Sequence, residues 1–457
     1  MSHASSRGAR TRAFFSLCAA AGGFCLSVAC GSGNSTLGPP GGGGSGASSG
    51  FSSSGDSSAG SSLSGVGSSG VSASGGKDDG GVSPMPEAGL GDDGSSQTSG
   101  VFRHPGALVN GEQLAFLKAK IAAAAEPWTS ALAATKADPL GSLSYAPNPP
   151  ADSNGAVNCA TLSGSDVHCK DEQHDSEAAY AHALISALTG DPKYTAKAIE
   201  IMNAWSAVMK THTDSNSPVQ SGWTGTLFAR AAEIIRYTST AWAAADIAKF
   251  SSMLKSAYVP FIQSRPGMNG NWELSMADAL IQIAVFNDDR PAFDHAIAMW
   301  KRRVPEYIYM SSDGPTPVMD TMASTWNASK YYDGLCQETC RDLGHTQYGF
   351  AAIINVAETA RIQGVDLYTL EAKRITAGLE VHAGYINAGA SSSPACSLSA
   401  VSPDPMWEIA YNEYANRLKM ALPNTAQLVK GNRPTGVNHH MDWETLTHAE
   451  VGSVGIH

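Results

Sequence analysis

The sequence predicts an all-α domain over residues 101–457, an (α/α) toroid built as an incomplete barrel of antiparallel helix pairs. Three observations point there. Apolar residues recur at helical spacing in almost every segment of this region. Two stretches read as the same unit, a helix, a tight acidic turn and a second helix ending near a Trp. The unit recurs irregularly, with long stretches such as 258–270 and 305–344 between helices. That fits a closed ring with a functional cleft better than an open solenoid, whose period is cleaner.

The periodicity predicts helices over 111–125, 173–189, 192–209, 223–238, 242–257, 272–287, 290–304, 345–363, 367–382 and 405–420. Strand-like alternation is scarce outside Val304–Tyr309. The first repeat unit reads Ala183-Leu184-Ile185, then Thr189-Gly190-Asp191, Tyr194, Ala198-Ile199 and Trp205. The second reads Ala279-Leu280-Ile281, then Asn287-Asp288-Asp289, Phe293, Ala296-Ile297 and Trp300.

The region before the domain has a different character. Residues 1–29 carry Arg7, Arg10 and Arg12, no acid, and an apolar run from Ala13 to Ala29, the layout of a signal peptide. The small residues before Cys30 and the Gly-Ser tether after it resemble a lipoprotein signal, with Cys30 as the lipidation site; an ordinary secretory signal cut nearby is the alternative. Residues 31–100 hold 22 Gly and 21 Ser among 70. Such a segment buries too little apolar surface to offset its chain entropy, so 30–100 is expected to be a disordered linker. The expected location is therefore outside the cytoplasm, as a periplasmic or cell-surface lipoprotein or a secreted protein. The only expected membrane contact is the lipid at Cys30.

Five cysteines fall in the domain. Export makes disulfides plausible. Cys159 and Cys169 bracket one short loop, Cys336 and Cys340 another, and two local disulfides are expected in preference to zinc, because no second Cys/His pair with zinc-like spacing accompanies them. The domain carries 26 Lys and Arg against 35 Asp and Glu, which argues against nucleic acid as a partner. A monomer is expected.

Two helices carry narrow polar stripes. On the first, Asn271, Ser275, Asp278 and Gln282 share one face of an otherwise apolar segment, as the inner wall of a ring requires. The alternative is a stripe that only satisfies neighbouring backbone groups. On the second, His345, Tyr348 and Asn355 lie opposite Phe350, Ile353, Ile354 and Ala357, and a backward extension adds Arg341. A cation, an imidazole and a phenol facing one point make this the leading active-site candidate.

Arg341, six residues, then Tyr348 on a helix, with an Asn-rich motif opening an earlier helix, resembles the alginate lyases with an (α/α) toroid. His104-Pro105-Gly106, Asn271-Trp272-Glu273 and Val304-Pro305-Glu306-Tyr307 are similar to the same family, over most of 101–457. The resemblance implies a polysaccharide lyase that cleaves a 4-linked uronic-acid polymer, alginate or a similar polyuronate, by β-elimination. It also implies that an Asn-His pair and the Arg hold substrate while the Tyr handles the proton. Where the family reads Asn-Asn-His, this chain reads Asn269-Gly270-Asn271, and His345 is the candidate for the missing imidazole.

The chemistry suits these residues. The proton at C5 of the uronate is acidic only when the adjacent carboxylate is neutralised, a task for Asn271, His345 and Arg341. Tyr348 then serves as base, acid or both, with Arg341 lowering its pKa. No cofactor and no metal is required. Candidate substrate-binding residues are Asn269, Trp272, His174, Trp223, Trp326, His440 and Trp443, the last two in a His-rich C-terminal run placed to fold over the cleft. Two alternatives remain: a toroid glycoside hydrolase using carboxylates such as Asp278 and Asp342, and a non-catalytic carbohydrate-binding envelope protein.

Overall fold

The computed structural model describes residues 101–160, 166–263, 270–318 and 326–452. The expected signal peptide, Cys30, the expected linker and Asn269 lie outside the described residues.

The long helices are α3 (Cys169–Thr189), α4 (Pro192–Val208), α5 (Ser217–Thr238), α8 (Gly270–Phe286), α9 (Arg290–Tyr307), α10 (Leu343–Ile362) and α11 (Ala372–Ala388). Shorter helices fill the chain between and around them: α1 (Gly111–Ala122), α2 (Trp128–Ala137), α6 (Ala244–Met253), α7 (Val259–Gln263), α12 (Trp407–Tyr411), α13 (Pro423–Asn432) and α14 (Glu444–His448). The strands among the described residues form two two-residue ladders. β1 (Ala156–Val157) pairs parallel to β2 (Thr211–His212), and β3 (Val437–Asn438) pairs antiparallel to β4 (Met441–Asp442).

Helices α3, α5, α8 and α10 pack side by side in chain order, and α12, α14 and α1 close the ring from α10 back to α3. Helices α4 and α9 pack outside α3 and α8. Helices α8 and α10 are apolar over most of their surface, so they can be covered on every side. From Ser217 to Ile235 of α5, and over nearly all of α8 and α10, every side chain is buried.

The two repeat units are the pairs α3–α4 and α8–α9. Each turn places one residue in the left-handed region, Gly190 (φ 71°) and Asp288 (φ 55°). Each outer helix then starts with an Asp whose carboxylate accepts a backbone N–H of the first turn, Asp191 from Lys193 and Asp289 from Ala292. A proline follows each cap, where its missing N–H costs nothing.

All ten predicted helices are present. The segments 242–257 and 405–420 each begin as α-helix and continue as a π-turn, Leu254–Tyr258 and Asn412–Arg417. The strand-like alternation at Val304–Tyr309 falls mostly on the last turn of α9, which runs to Tyr307 through Pro305, and only Ile308 forms an isolated β-bridge, to Cys336. Tertiary pairing holds that turn helical: Arg303 donates to buried Glu273, and the Tyr307 hydroxyl donates to Glu338.

Polar residues inside the ring are paired across helices. The Arg230 guanidinium (α5) meets Asp278 (α8) at 3.1 Å, Asn355 (α10) donates to the same carboxylate at 2.9 Å, and Gln282 donates to it at 2.9 Å. Glu172 (α3) contacts His212 at 3.0 Å and accepts from Tyr258 and Gln220. Buried charges persist only when compensated in this way.

The Cys159–Cys169 disulfide is present. The expected Cys336–Cys340 bond is not: Cys340 pairs with Cys396, and Cys336 is a buried free thiol. The cause is the turn between them. The Cys336 N–H donates to Thr339 Oγ1, the Thr339 N–H donates back to the Cys336 carbonyl, and Cys336 bridges to Ile308. This packs Cys336 in the main core and turns Cys340 into a separate cluster with Tyr309, Trp326, Leu335 and Ala395. Peptide mapping of non-reduced protein should find Cys340 linked to Cys396 and Cys336 alkylated only after unfolding. A Cys336–Cys340 peptide would contradict this arrangement.

Candidate functional site

The site is built at the start of α10, where Asp342 caps the helix. Its Oδ1 accepts the His345 N–H at 2.8 Å, and its Oδ2 meets His345 Nδ1 at 2.7 Å. Burial would raise the Asp342 pKa, but the bonds and charge of His345 and the nearby Arg341 outweigh it and hold the carboxyl below its usual range. One turn on, the Tyr348 side chain reaches a ring of aromatic and imidazole groups. Its ring centroid lies 5.9 Å from His345, 5.7 Å from Trp223, 5.1 Å from His439 and 6.1 Å from His440. The Tyr348 hydroxyl is 3.4 Å from His439 Nδ1.

Arg341 and Asn271 do meet, through a shared carboxylate. Glu338 accepts from Arg341 at 2.9 Å, from Asn271 Nδ2 at 2.8 and 2.9 Å, and from the Asn271 backbone N–H at 3.1 Å. Asn271 is wholly buried, whereas the Arg341 side chain is 41% exposed. The glycine of Asn269-Gly270-Asn271 has a steric reason here. Gly270 stands at φ +22°, and a Cβ there would lie 2.8 Å from Glu338 Oε2 and from the Tyr307 ring. The Gln337–Glu338 turn sits too close for any side chain at position 270.

The remaining predicted residues divide. Trp223 packs its edge against His439 at 4.3 Å. His174 is exposed on the first turns of α3, and Trp272 is half-buried at the start of α8. His440 and Trp443 are buried instead of lining the cleft. His440 braces Tyr348 from behind, its Nε2 donating to the Tyr348 carbonyl at 3.2 Å. Trp326 is buried in the cluster around the Cys340–Cys396 bond. Asp278 is locked to Arg230, and Asp342 to His345, so neither forms an opposed carboxylate pair. Among the described residues, no three His, Cys, Asp or Glu groups converge as a metal site.

Glu338 was not singled out from sequence, and His439 entered only as the first residue of the His-rich C-terminal run expected to fold over the cleft. Glu338 was hidden because its role depends on the fold of a turn. His439 sits at the tip of the β3–β4 hairpin with a left-handed backbone (φ 55°), and no helical stripe pointed to it.

The family model for alginate lyase matches residues 137–392, more than half of the chain, including Asn271, Arg341 and Tyr348. The chain belongs to the alginate lyase family. It is a polysaccharide lyase with an all-α toroid fold. Comparison with curated proteins finds no match. Among solved structures, the fold is similar to an alginate lyase from Bacteroides ovatus, with a TM-score of 0.54 and 17% identity, covering 76% of this chain and 99% of that one. It is similar to alginate lyase A1-III from Sphingomonas species A1, with a TM-score of 0.56 and 15% identity, covering 76% and 97%. A variant of A1-III complexed with tetrasaccharide gives 0.57 and 15%, covering 76% and 96%.

The lyase carries buried acids beneath the site. Burial pushes Glu177 up to about 8 and Glu444 up to about 8, and raises Asp442 as well. Burial likewise lowers His440 and His439, each to about 3. The signs give a defined pH response. Below the ordinary His value of 6.5, the unfolded chain binds protons that these buried His refuse, so stability rises with pH there, opposing the acids. Between about pH 6.5 and about 8 the acids act without that opposition: the folded protein keeps protons that the unfolded chain has lost, and stability falls as pH rises. The melting temperature should drop across this window, and Glu177→Gln should flatten the drop. An unchanged slope in the variant would contradict the assignment.

Proposed function

We propose that this lyase cleaves a 4-linked uronic-acid-containing polysaccharide, alginate or a similar polyuronate, by β-elimination at Tyr348. The observation that carries the reading is the Tyr348 hydroxyl, seated among Trp223, His345 and His439 on the helix that Arg341 and Asp342 introduce. As a phenolate, Tyr348 takes the C5 proton. The C5–H electrons form the C4–C5 double bond, the C4–O4 bond breaks, and the leaving O4 takes the proton from the Tyr348 phenol. Arg341 supplies the positive charge toward the uronate carboxylate, with Glu338 fixing its position from the buried side. Asn271 supports this by holding Glu338. On the same reading the enzyme works outside the cytoplasm, held to a surface through residues 30–100.

Product mass spectrometry tests the reaction type. Elimination yields chains one water lighter than hydrolysis would, with an unsaturated non-reducing end. Oligomers of alginate or another polyuronate should carry that mass. Products with the mass of hydrolysis would establish the glycosidase reading instead.

A further inference from the structure

We propose that His439 is a positioning residue for the reaction, a neutral imidazole whose Nδ1–H donates to the Tyr348 oxygen and stabilises the phenolate that removes the C5 proton. The proposal rests on the lyase reading and gives the tyrosine oxygen an imidazole partner, a task different from the substrate-holding one that the family resemblance gives its His.

The tautomer follows from a hydrogen-bond relay. Asn438 Nδ2 donates to Asp404 Oδ1 at 2.8 Å, which turns the Asn438 amide oxygen toward His439. That oxygen lies 2.6 Å from His439 Nδ1. An amide oxygen only accepts, so Nδ1 carries the hydrogen. The same N–H faces the Tyr348 hydroxyl oxygen at 3.4 Å, the long arm of a three-centre contact. A donor aimed at an oxygen favours its charged form, and in a water-poor site the effect is larger than in solvent. This matters because a tyrosine hydroxyl ordinarily ionises near pH ~10.

The hairpin tip is held firmly enough for this task. The His439 N–H donates to Glu177 Oε1 on α3 at 3.2 Å, and the Trp223 ring lies against the imidazole. The neighbouring His440 carbonyl accepts from Arg230 at 3.1 Å, and its ring donates to the Tyr348 carbonyl. Both tip residues thus attach to Tyr348, one through the side chain and one through the main chain. His439 also keeps a left-handed backbone that a non-glycine residue adopts at a cost, which the surrounding bonds must offset.

The charged and titratable groups around the pair are consistent with a neutral donor. They are His345, Arg341 and Asp342 at the start of α10, His174 and Glu177 on α3, Arg230 on α5, His440 and Asp442 on the hairpin, and Asp404 behind Asn438. Burial, with His440, His345 and His174 nearby, lowers the His439 pKa to about 3, so the ring is uncharged near neutral pH. His345 is less well placed: its ring is farther from Tyr348, and its Nδ1 is engaged by Asp342.

The test compares His439→Gly and His439→Asn with wild type, since both residues suit the left-handed backbone. Asn retains an N–H near the Nδ1 position and Gly removes it. kcat and KM are measured from about pH 6 to about pH 10, spanning the ordinary tyrosine range, on a polyuronate that the wild type cleaves. In His439→Gly, kcat near neutral pH should fall roughly 10–100-fold, the alkaline rise should move up by about one to two pH units, and KM should change little. His439→Asn should recover most of the loss, and added imidazole should partly rescue His439→Gly. A profile in His439→Gly that keeps the wild-type midpoint, lowered or not, would overturn the proposal, as would His439→Asn failing as badly as His439→Gly while folded. Absence of unsaturated product from wild type on every polyuronate would instead remove the lyase reading itself.

Discussion

Replacing Tyr348 by Phe is expected to lower kcat by about 10⁴-fold or more while oligosaccharide binding persists. A single general acid or base typically contributes about 10²–10⁴-fold, and here one hydroxyl serves in both steps, so the loss should reach the top of that range. The substitution keeps the ring, which is 9% exposed and packs against His345, Trp223, His439 and His440, so folding should be unaffected. Arg341 and its Glu338 partner remain in place to meet the carboxylate. Steady-state kinetics with a binding titration check the split between turnover and affinity. Retention of more than about a tenth of wild-type kcat would remove Tyr348 from the chemistry.

Asp278→Ala should be the most damaging substitution for stability among those at the ring interior, at about 3–5 kcal/mol, because it leaves a buried cation uncompensated. Arg230 is 1% exposed and has Asp278 as its carboxylate partner, while Asn355 and Gln282 also point their N–H groups there. Three inner helices lose a common acceptor at once. The damage should reach the site too, because Arg230 also holds the His440 carbonyl at the hairpin tip. Denaturant unfolding measures the first effect, and the kcat of the surviving folded fraction the second. Replacing both partners by apolar residues of similar volume should cost much less than the single change. A single substitution within about 1 kcal/mol of wild type would show that the network is not what joins α5, α8 and α10.

The ring was legible in the sequence because helices α8 and α10 are apolar over most of their surface and the turns between helices carry explicit signals. Gly190-Asp191-Pro192 and Asp288-Asp289-Arg290-Pro291 each spell a left-handed residue, a cap and a first-turn proline. Helices α2, α7, α13 and α14 were missed, α7 inside the expected long loop 258–270; each has ten residues or fewer, and Pro127 and Pro423 at the starts of α2 and α13 read as loop. The placement of Tyr348 on a helix whose lead-in carries Arg341 was legible because spacing along one element of the chain is spacing in space. What escaped notice depends on tertiary folding. Glu338 meets Asn271 across 67 positions and Tyr307 across 31. His439 meets Tyr348 across 91. The mispaired cysteine has the same cause: adjacency in sequence favoured Cys340 with Cys336, whereas the turn directs Cys340 to Cys396, 56 residues away.

The central claim is that Tyr348 drives an elimination, and the ultraviolet absorbance of the unsaturated uronate reports that reaction directly. Wild type and Tyr348→Phe, both shown to be folded, would be followed side by side on alginate and a panel of other polyuronates, with a neutral polysaccharide as control. The expected result is a steady rise in absorbance for wild type on at least one polyuronate, none on the neutral polymer, and essentially none for Tyr348→Phe. Equal rises for the two proteins would contradict the assignment of Tyr348, and chain shortening by wild type without any rise would contradict elimination.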